Sequence, residues 1–131
     1  MNSFLLDTHV VLWLATSPEL IPRKTRETLQ DADALFVSAI SAYEIGQKVR
    51  RGQLPQAAGL LARWDVFLDR ILAEELPVST ADALLAARLD WDHRDPFDRI
   101  LVAQAQISGL RLVTKDSWIL AFPQAPCLAW A

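Results

Sequence analysis

Residues 3–14 of the chain read SFLLDTHVVLWL: a short apolar run, one acidic residue and a second apolar segment. Ser3–Leu6 has the length and the almost unbroken apolar character of a strand that is buried on both faces. Asp7 ends this strand, and Val11 and Leu14 then follow at the spacing of one helical turn. A buried strand that runs directly into a helix is typical of an α/β fold with a parallel sheet.

The rest of the chain repeats this alternation without linkers or internal repeats, and it predicts one α/β domain over residues 1–131 with a mostly parallel sheet. After the first helix, which Ser17 and Pro18 end, strands are predicted at residues 34–37, 76–78 and 110–114, with a last edge strand at 127–130. Helices are predicted at residues 22–31, 41–51, 55–73, 79–89 and 95–108.

Two predicted helix starts contain acidic residues. Glu44 follows Ser41 at the spacing of a capping box, which would place Glu44 in the first turn of the helix after the second strand. Asp95 precedes Pro96 and is expected to be the N-cap of its helix, with Asp98 in the first turn.

The composition limits the classes of function. The formal net charge is −3, whereas proteins that bind nucleic acid by bulk electrostatics are usually basic, so any nucleic-acid contact must use a local patch. Apolar residues make up 52% and there are five tryptophans, which indicates either a dense core or apolar surface that a partner covers. Cys127 is the only cysteine, which excludes an intrachain disulfide and fits a reducing cytoplasm. The longest apolar run, residues 10–15, is far too short for a membrane span, and we expect no membrane partner.

Acidic residues recur at strand ends and helix starts. Asp7 and Asp116 each come directly after a predicted strand, Asp95 and Asp98 begin a helix, and Glu44 follows the second strand. In a parallel α/β sheet, ligands gather in the crevice beyond the carboxyl ends of the strands, so these positions are expected to converge. Each acid taken alone could instead be a helix cap or a turn residue.

Several carboxylates in one crevice repel one another, and a bound cation would relieve that repulsion. Oxygen ligands with few His or Cys residues nearby favour Mg²⁺, or Mn²⁺ as its substitute, over zinc. Such an ion can polarise a phosphodiester and acidify a water molecule.

With these residues in view, the chain resembles the PIN-domain ribonucleases, and in particular the VapC-type toxins. The stretches that carry the resemblance are residues 5–9 (LLDTH), residues 38–41 (SAIS) with Glu44, residues 93–99 (HRDPFDR) and residues 114–116 (TKD). The resemblance implies a three-layer α/β/α sandwich and a Mg²⁺-dependent endoribonuclease of a toxin–antitoxin pair. It also implies RNA as substrate, a cognate antitoxin as partner and a homodimer.

The resemblance assigns the site residue by residue. Asp7, Glu44, Asp98 and Asp116 match the acidic positions, and Asp95 is an alternative third acid in the DPFD segment. The mechanism that we infer has Asp7, Asp98 and Asp116 holding one Mg²⁺, while Glu44 binds the ion through water or orients the attacking water.

Further residues are weaker candidates. Thr114 and, less clearly, Thr8 match hydroxyl residues that line the site in the family. Basic candidates for RNA phosphates are Lys48, Arg50, Arg51, Arg94 and Arg99, although such residues more often form a solvated helix face. Trp118, two residues after Asp116, is the best tryptophan candidate for a substrate contact. His9 and His93 are interpreted as plain surface or loop histidines.

Two rival functions remain open. A phosphotransfer or receiver-like domain would use Asp7 as phosphoacceptor, but His9 stands where a phosphatase has its second acid and no acidic pair precedes the first strand. A catalytically inactive PIN-like binding module would use the fold only to hold a protein partner, and the retained acids argue against it.

Overall fold

A computed structural model describes residues 2–130, and its four strands run parallel in one sheet of order β3-β2-β1-β4. The strands are β1 (Ser3–Leu6), β2 (Ala34–Ser38), β3 (Ala73–Leu76) and β4 (Arg111–Val113). The helices are α1 (Thr8–Thr16), α2 (Arg23–Gln30), α3 (Ala39–Arg50), α4 (Ala58–Ala62), α5 (Trp64–Arg70), α6 (Thr80–Arg88), α7 (Pro96–Ser108) and α8 (Ser117–Leu120). Short 3-10 helices lie at Pro18–Leu20 and Pro55–Ala57.

Strand β1 shows why helices cover both faces of the sheet. Successive side chains of a strand point to opposite faces, and here all the central ones are apolar. Phe4 and Leu6 join one hydrophobic cluster, with residues of α1, α2, α3 and α5, and Leu5 joins a second cluster with residues of α7 and α8. The predicted three-layer α/β/α sandwich is therefore confirmed.

The predicted helix over residues 55–73 is wrong. The segment is a 3-10 helix followed by α4 and α5, because Arg63 leaves the helical region (φ −127°, ψ 36°) and divides it. Leu72 then takes a left-handed conformation (φ 57°), which turns the chain into β3 at Ala73, three residues before the predicted strand. Apolar residues on both sides of the break face the same core, so their spacing continues across it.

The predicted capping box at Ser41 is also wrong. Helix α3 begins at Ala39, and its N-cap is Ser38, whose hydroxyl accepts a hydrogen bond from the amide of Ile40 at 3.1 Å. Ser41 is therefore a buried residue inside the helix, and Glu44 lies in the second turn rather than the first.

The predicted edge strand at residues 127–130 is reduced to one parallel bridge between Cys127 and Leu112. The amide of Leu112 donates to Pro126 O at 2.6 Å, and Leu128 N donates to Leu112 O at 3.0 Å. None of the helices in residues 2–130 has the length and apolar character required to span a bilayer.

Candidate metal centre

The crevice at the carboxyl ends of β1 and β4 is the place where the predicted acids meet. β1 pairs with β2 on one side and β4 on the other, so the chain changes direction across the sheet at this point. Ligands of parallel α/β sheets bind at such switch points. Leu6 lies opposite Val113 in the register, and the next residues, Asp7 and Thr114, are therefore neighbours at this edge.

Asp7 is held rigidly at the bottom of the crevice. It is 3% exposed and is the N-cap of α1, with its Oδ1 accepting from the amide of Thr8 at 2.7 Å. Its Oδ2 accepts from the hydroxyl of Thr114 at 2.6 Å. A buried carboxylate with two hydrogen-bond donors at these distances is fixed in orientation, as a metal ligand must be.

Thr114 also connects Asp7 to Asp116. Its Oγ1 accepts from the amide of Asp116 at 2.9 Å while donating to Asp7, and the hydroxyl is completely buried. Asp7 and Asp116 therefore lie on the same side of the molecule, linked through the hydroxyl of Thr114.

A second part of the crevice brings three groups close together. Within residues 2–130, one ligand atom each of His93, Asp98 and Asp116 lie within 4.8 Å of one another. Ligand oxygens on opposite sides of one Mg²⁺ are about 4.2 Å apart, so a small inward movement would let the carboxylates of Asp98 and Asp116 share an ion. Asp7 is not part of this close group, because its oxygens point to Thr8 and Thr114.

The electrostatics show how crowded the carboxylates are. The pKa of Asp98 is raised from 3.8 to about 7: burial raises it most, the hydrogen bond with His93 lowers it, and the negative charges of Asp7, Asp95 and Asp116 add to the increase. A bound cation would reverse this repulsion, and the oxygen-rich ligand set fits Mg²⁺ or Mn²⁺.

Asp98 and Asp95 have different roles. The Oδ1 of Asp95 accepts from the amides of Phe97 and Asp98 at 2.9 and 3.3 Å, which makes it the predicted N-cap of α7. Asp98 faces His93 and Asp116 instead. This geometry favours Asp98 over Asp95 as the third acid.

Glu44 shares a face of α3 with Ser41, which contacts the residue after Asp7. Ser41, one turn earlier on α3, bonds through its hydroxyl to the hydroxyl of buried Thr8 at 2.9 Å, and residues three apart share a helix face. Lys48 approaches Glu44 with its Nζ 3.4 Å from Oε2. The glutamate side chain is only 12% exposed, whereas the Lys48 side chain is 42% exposed.

His9 lies on helix α1 and His93 in the loop before α7, as predicted, and each contacts an acid of the crevice. His93 Nε2 lies 2.6 Å from Asp98 Oδ2, and His9 Nδ1 lies 3.3 Å from Asp7 Oδ2. The amide of Lys115 donates to His9 Nε2 at 3.1 Å, so the ring proton is on Nδ1, facing Asp7. In the sequence, His9 follows Asp7 by two residues and His93 precedes Asp98 by five, but this spacing does not determine that the rings turn toward the acids.

The structure contradicts one basic candidate for RNA contact. All N–H groups of the Arg99 guanidinium point inward, to the carbonyls of residues 86, 87, 89, 91 and 93. Arg99 therefore holds the loop that carries His93 instead of meeting a phosphate. Arg94, Arg50 and Arg51 are exposed, and Arg51 follows the end of α3 opposite to the crevice.

The position of Lys115 argues against the phosphotransfer alternative. A phosphoacceptor aspartate needs a positive side chain beside it, and the lysine considered for that role is Lys115, next to Asp116. Its Nζ lies over the ring of Trp13, 5.7 Å from the centroid, while both Asp7 oxygens accept hydrogen bonds from uncharged donors.

The bridging hydroxyl of Thr114 leads to a first prediction. Thr114→Val keeps the shape of the side chain but removes the donor to Asp7 and the acceptor for Asp116 N, so metal affinity should fall by about 10- to 100-fold. Thr114→Ser, which keeps the hydroxyl, should bind Mn²⁺ almost as the parent does. Calorimetric Mn²⁺ titration measures both, and equal affinity of the Val and Ser variants would exclude this role.

Comparison with known proteins places the chain among relatives of one fold. The sequence profile of the PIN domain matches residues 4–122. Ribonuclease VapC22 from Mycobacterium tuberculosis (strain ATCC 25618 / H37Rv) is 29% identical over 116 residues, covering 88% of each chain. One structural neighbour is a chain of VapBC2 from Rickettsia felis, in a crystal structure with a DNA fragment from the VapBC2 promoter. It superposes with a TM-score of 0.74 at 16% identity, and the match covers 98% of this chain and 99% of that one. A chain of DNA-bound VapBC from Salmonella typhimurium gives 0.65 at 21% identity over the full length of both chains.

Proposed function

The chain belongs to the PIN domain family, and from that premise we propose that it is a VapC-type endoribonuclease toxin that hydrolyses RNA at a Mg²⁺ site. The observation that carries this proposal is the convergence of Asp7, Asp98 and Asp116 at the carboxyl ends of β1 and β4. The relative named as a ribonuclease covers nearly nine-tenths of the chain and supports RNA as the substrate.

In this mechanism the chain's own residues position the ion, the water and the substrate. Asp98 and Asp116 would hold Mg²⁺ directly, with Asp7 as a third ligand and Glu44 reaching the ion or the attacking water through hydrogen bonds. The chemistry that Mg²⁺ supplies is polarisation of the phosphodiester and acidification of water. Thr114 and His9 orient the Asp7 carboxylate, and His93 holds Asp98.

The proposed partners include a cognate antitoxin and a second copy of the chain, acting in the cytoplasm. Structural neighbours come from toxin–antitoxin complexes. Several large apolar side chains are exposed, led by Leu72 at 85% and by Tyr43 and Leu84 at 59% each. Such surface is what the composition predicts for a chain that partners cover.

The test is cleavage of a labelled single-stranded RNA pool of random sequence by the purified protein. We expect cleavage with Mg²⁺ or Mn²⁺, none with a chelator, and recovery when excess Mg²⁺ is restored. Since water rather than a ribose hydroxyl is the attacking group, the products should carry 5′-phosphate ends. Undiminished cleavage in chelator would contradict the proposal, whereas Mn²⁺ binding without any cleavage would support the inactive binding module.

A further inference from the structure

Beside the acidic crevice, an exposed tryptophan lies flat on a histidine. The rings of Trp118 and His93 stack with centroids 4.9 Å apart and an interplanar angle of 13°. Trp91 also contacts His93, with ring centroids 4.9 Å apart, and it stacks on Phe122 at 4.5 Å and 2°. Trp118 is nevertheless 54% exposed, more than a ring covered on both faces could be. One face of the indole is therefore open to solvent.

The open indole is held in position from both ends. His93 is fixed by its contact with Asp98 at 2.6 Å and by Arg99, which donates to the His93 carbonyl at 2.9 Å. Trp118 lies in the first turn of α8, whose N-cap is Asp116, with Oδ1 accepting from Ile119 N at 3.1 Å. The indole is thus positioned through His93, which contacts Asp98, and through Asp116, the N-cap of its helix. Because it is already ordered, it loses little conformational freedom when a ligand stacks on it.

We propose that Trp118 is a stacking platform for one unpaired nucleobase of the RNA, next to the phosphate that is cut. This inference rests on the proposed function, because that function places a phosphodiester at Asp98 and Asp116. A base within one nucleotide of that phosphate can reach the indole, since the indole stacks on the His93 ring and His93 Nε2 lies 2.6 Å from Asp98 Oδ2.

A platform of this kind determines which RNA is bound. The bases of a double helix are already stacked and paired, so a flat protein ring can take up only a base from a loop, bulge or single strand. Because every base has a π-face, stacking on Trp118 tolerates any sequence. Trp118 therefore selects unpaired RNA over duplex RNA, and it leaves the choice of sequence to other contacts.

The experiment measures RNA binding by fluorescence anisotropy, with Ca²⁺ in place of Mg²⁺. The probes are a fluorescein-labelled single-stranded oligouridylate of about twelve nucleotides and an oligomer of equal length whose ribose-phosphate backbone carries no bases. The variants are Trp118→Leu, which keeps apolar bulk on His93 but has no aromatic face, and Trp118→Phe, which keeps one. Leu120→Ala is the matched control, because Leu120 is 42% exposed on the same helix.

We expect Trp118→Leu to raise the Kd for oligouridylate about tenfold and to leave the Kd for the base-free oligomer unchanged. Trp118→Phe should stay within about threefold of the parent, and Leu120→Ala should match it. Equal weakening for both oligomers, or none for either, would overturn the platform. Base-dependent binding through Trp118 in a protein that cleaves no RNA would leave the platform standing and remove the proposed function. If Trp118→Leu changed neither RNA cleavage nor RNA binding, the platform would be overturned and the proposed function would stand.

Discussion

Asp98→Asn should reduce RNA cleavage by roughly three orders of magnitude while leaving the fold intact. The variant removes one anionic ligand, and a catalytic ion contributes several kcal/mol to the transition state. The asparagine can still hydrogen bond to His93, so the local geometry is retained. Initial rates on the labelled RNA, measured beside circular dichroism spectra, check both parts of this expectation.

Asp95→Asn is the matched control for that variant. Asn is as good an N-cap as Asp, so α7 should begin as before and cleavage should fall by less than about tenfold. If Asp95→Asn abolished cleavage and Asp98→Asn did not, the two aspartates would exchange roles and the assignment of the third acid would be wrong.

Asp98→Asn should also stabilise the metal-free protein at neutral pH. The pKa of Asp98 is raised to about 7, so the folded state retains a proton that the unfolded chain loses near 3.8. This carboxyl therefore lowers the free energy of unfolding by an amount that grows as the pH rises from about 4 to 7 and stays constant above pH 7. A loss of stability at a site is a common cost of residues that serve function.

The part of the fold that sequence could predict is the part that depends on local pattern. Ser3–Leu6, the cap at Asp95 and the stop at Gly109 (φ 66°) each follow from the chemistry of a few adjacent residues. The helix predicted over residues 55–73 failed because periodicity reports which face is buried and not whether the backbone is continuous at Arg63.

The candidate site likewise has a part that the sequence could predict and a part that it could not. The meeting of Asp7 with Asp116 was predictable, since the ends of parallel strands share one edge. The contacts of His9, His93 and Ser41 were not, because they depend on side-chain directions that only tertiary packing determines. Arg99 shows the limit most clearly: its sequence position beside Asp98 indicates phosphate binding, and its neighbours in space are carbonyl oxygens.

Metal affinity should increase about tenfold for each pH unit between 5 and 7 and level off above 8. With the pKa of Asp98 near 7 in the metal-free protein, an ion that binds at lower pH must displace a proton from this carboxyl. Calorimetric Mn²⁺ titrations in buffers of different ionisation enthalpy measure both the affinity and the proton released. Cleavage at subsaturating Mg²⁺ should follow the same curve.

Asp95→Asn tests the electrostatic origin of this pH dependence. The negative charge of Asp95 is one of those that raise the pKa of Asp98, so its removal should move the rise of the affinity curve to lower pH. An affinity that is constant from pH 5 to 8 would mean that the ion binds without Asp98, and the proposed ligand set would then have to be abandoned. A curve that stays in place in Asp95→Asn would instead show that the charge of Asp95 does not contribute to the pKa of Asp98.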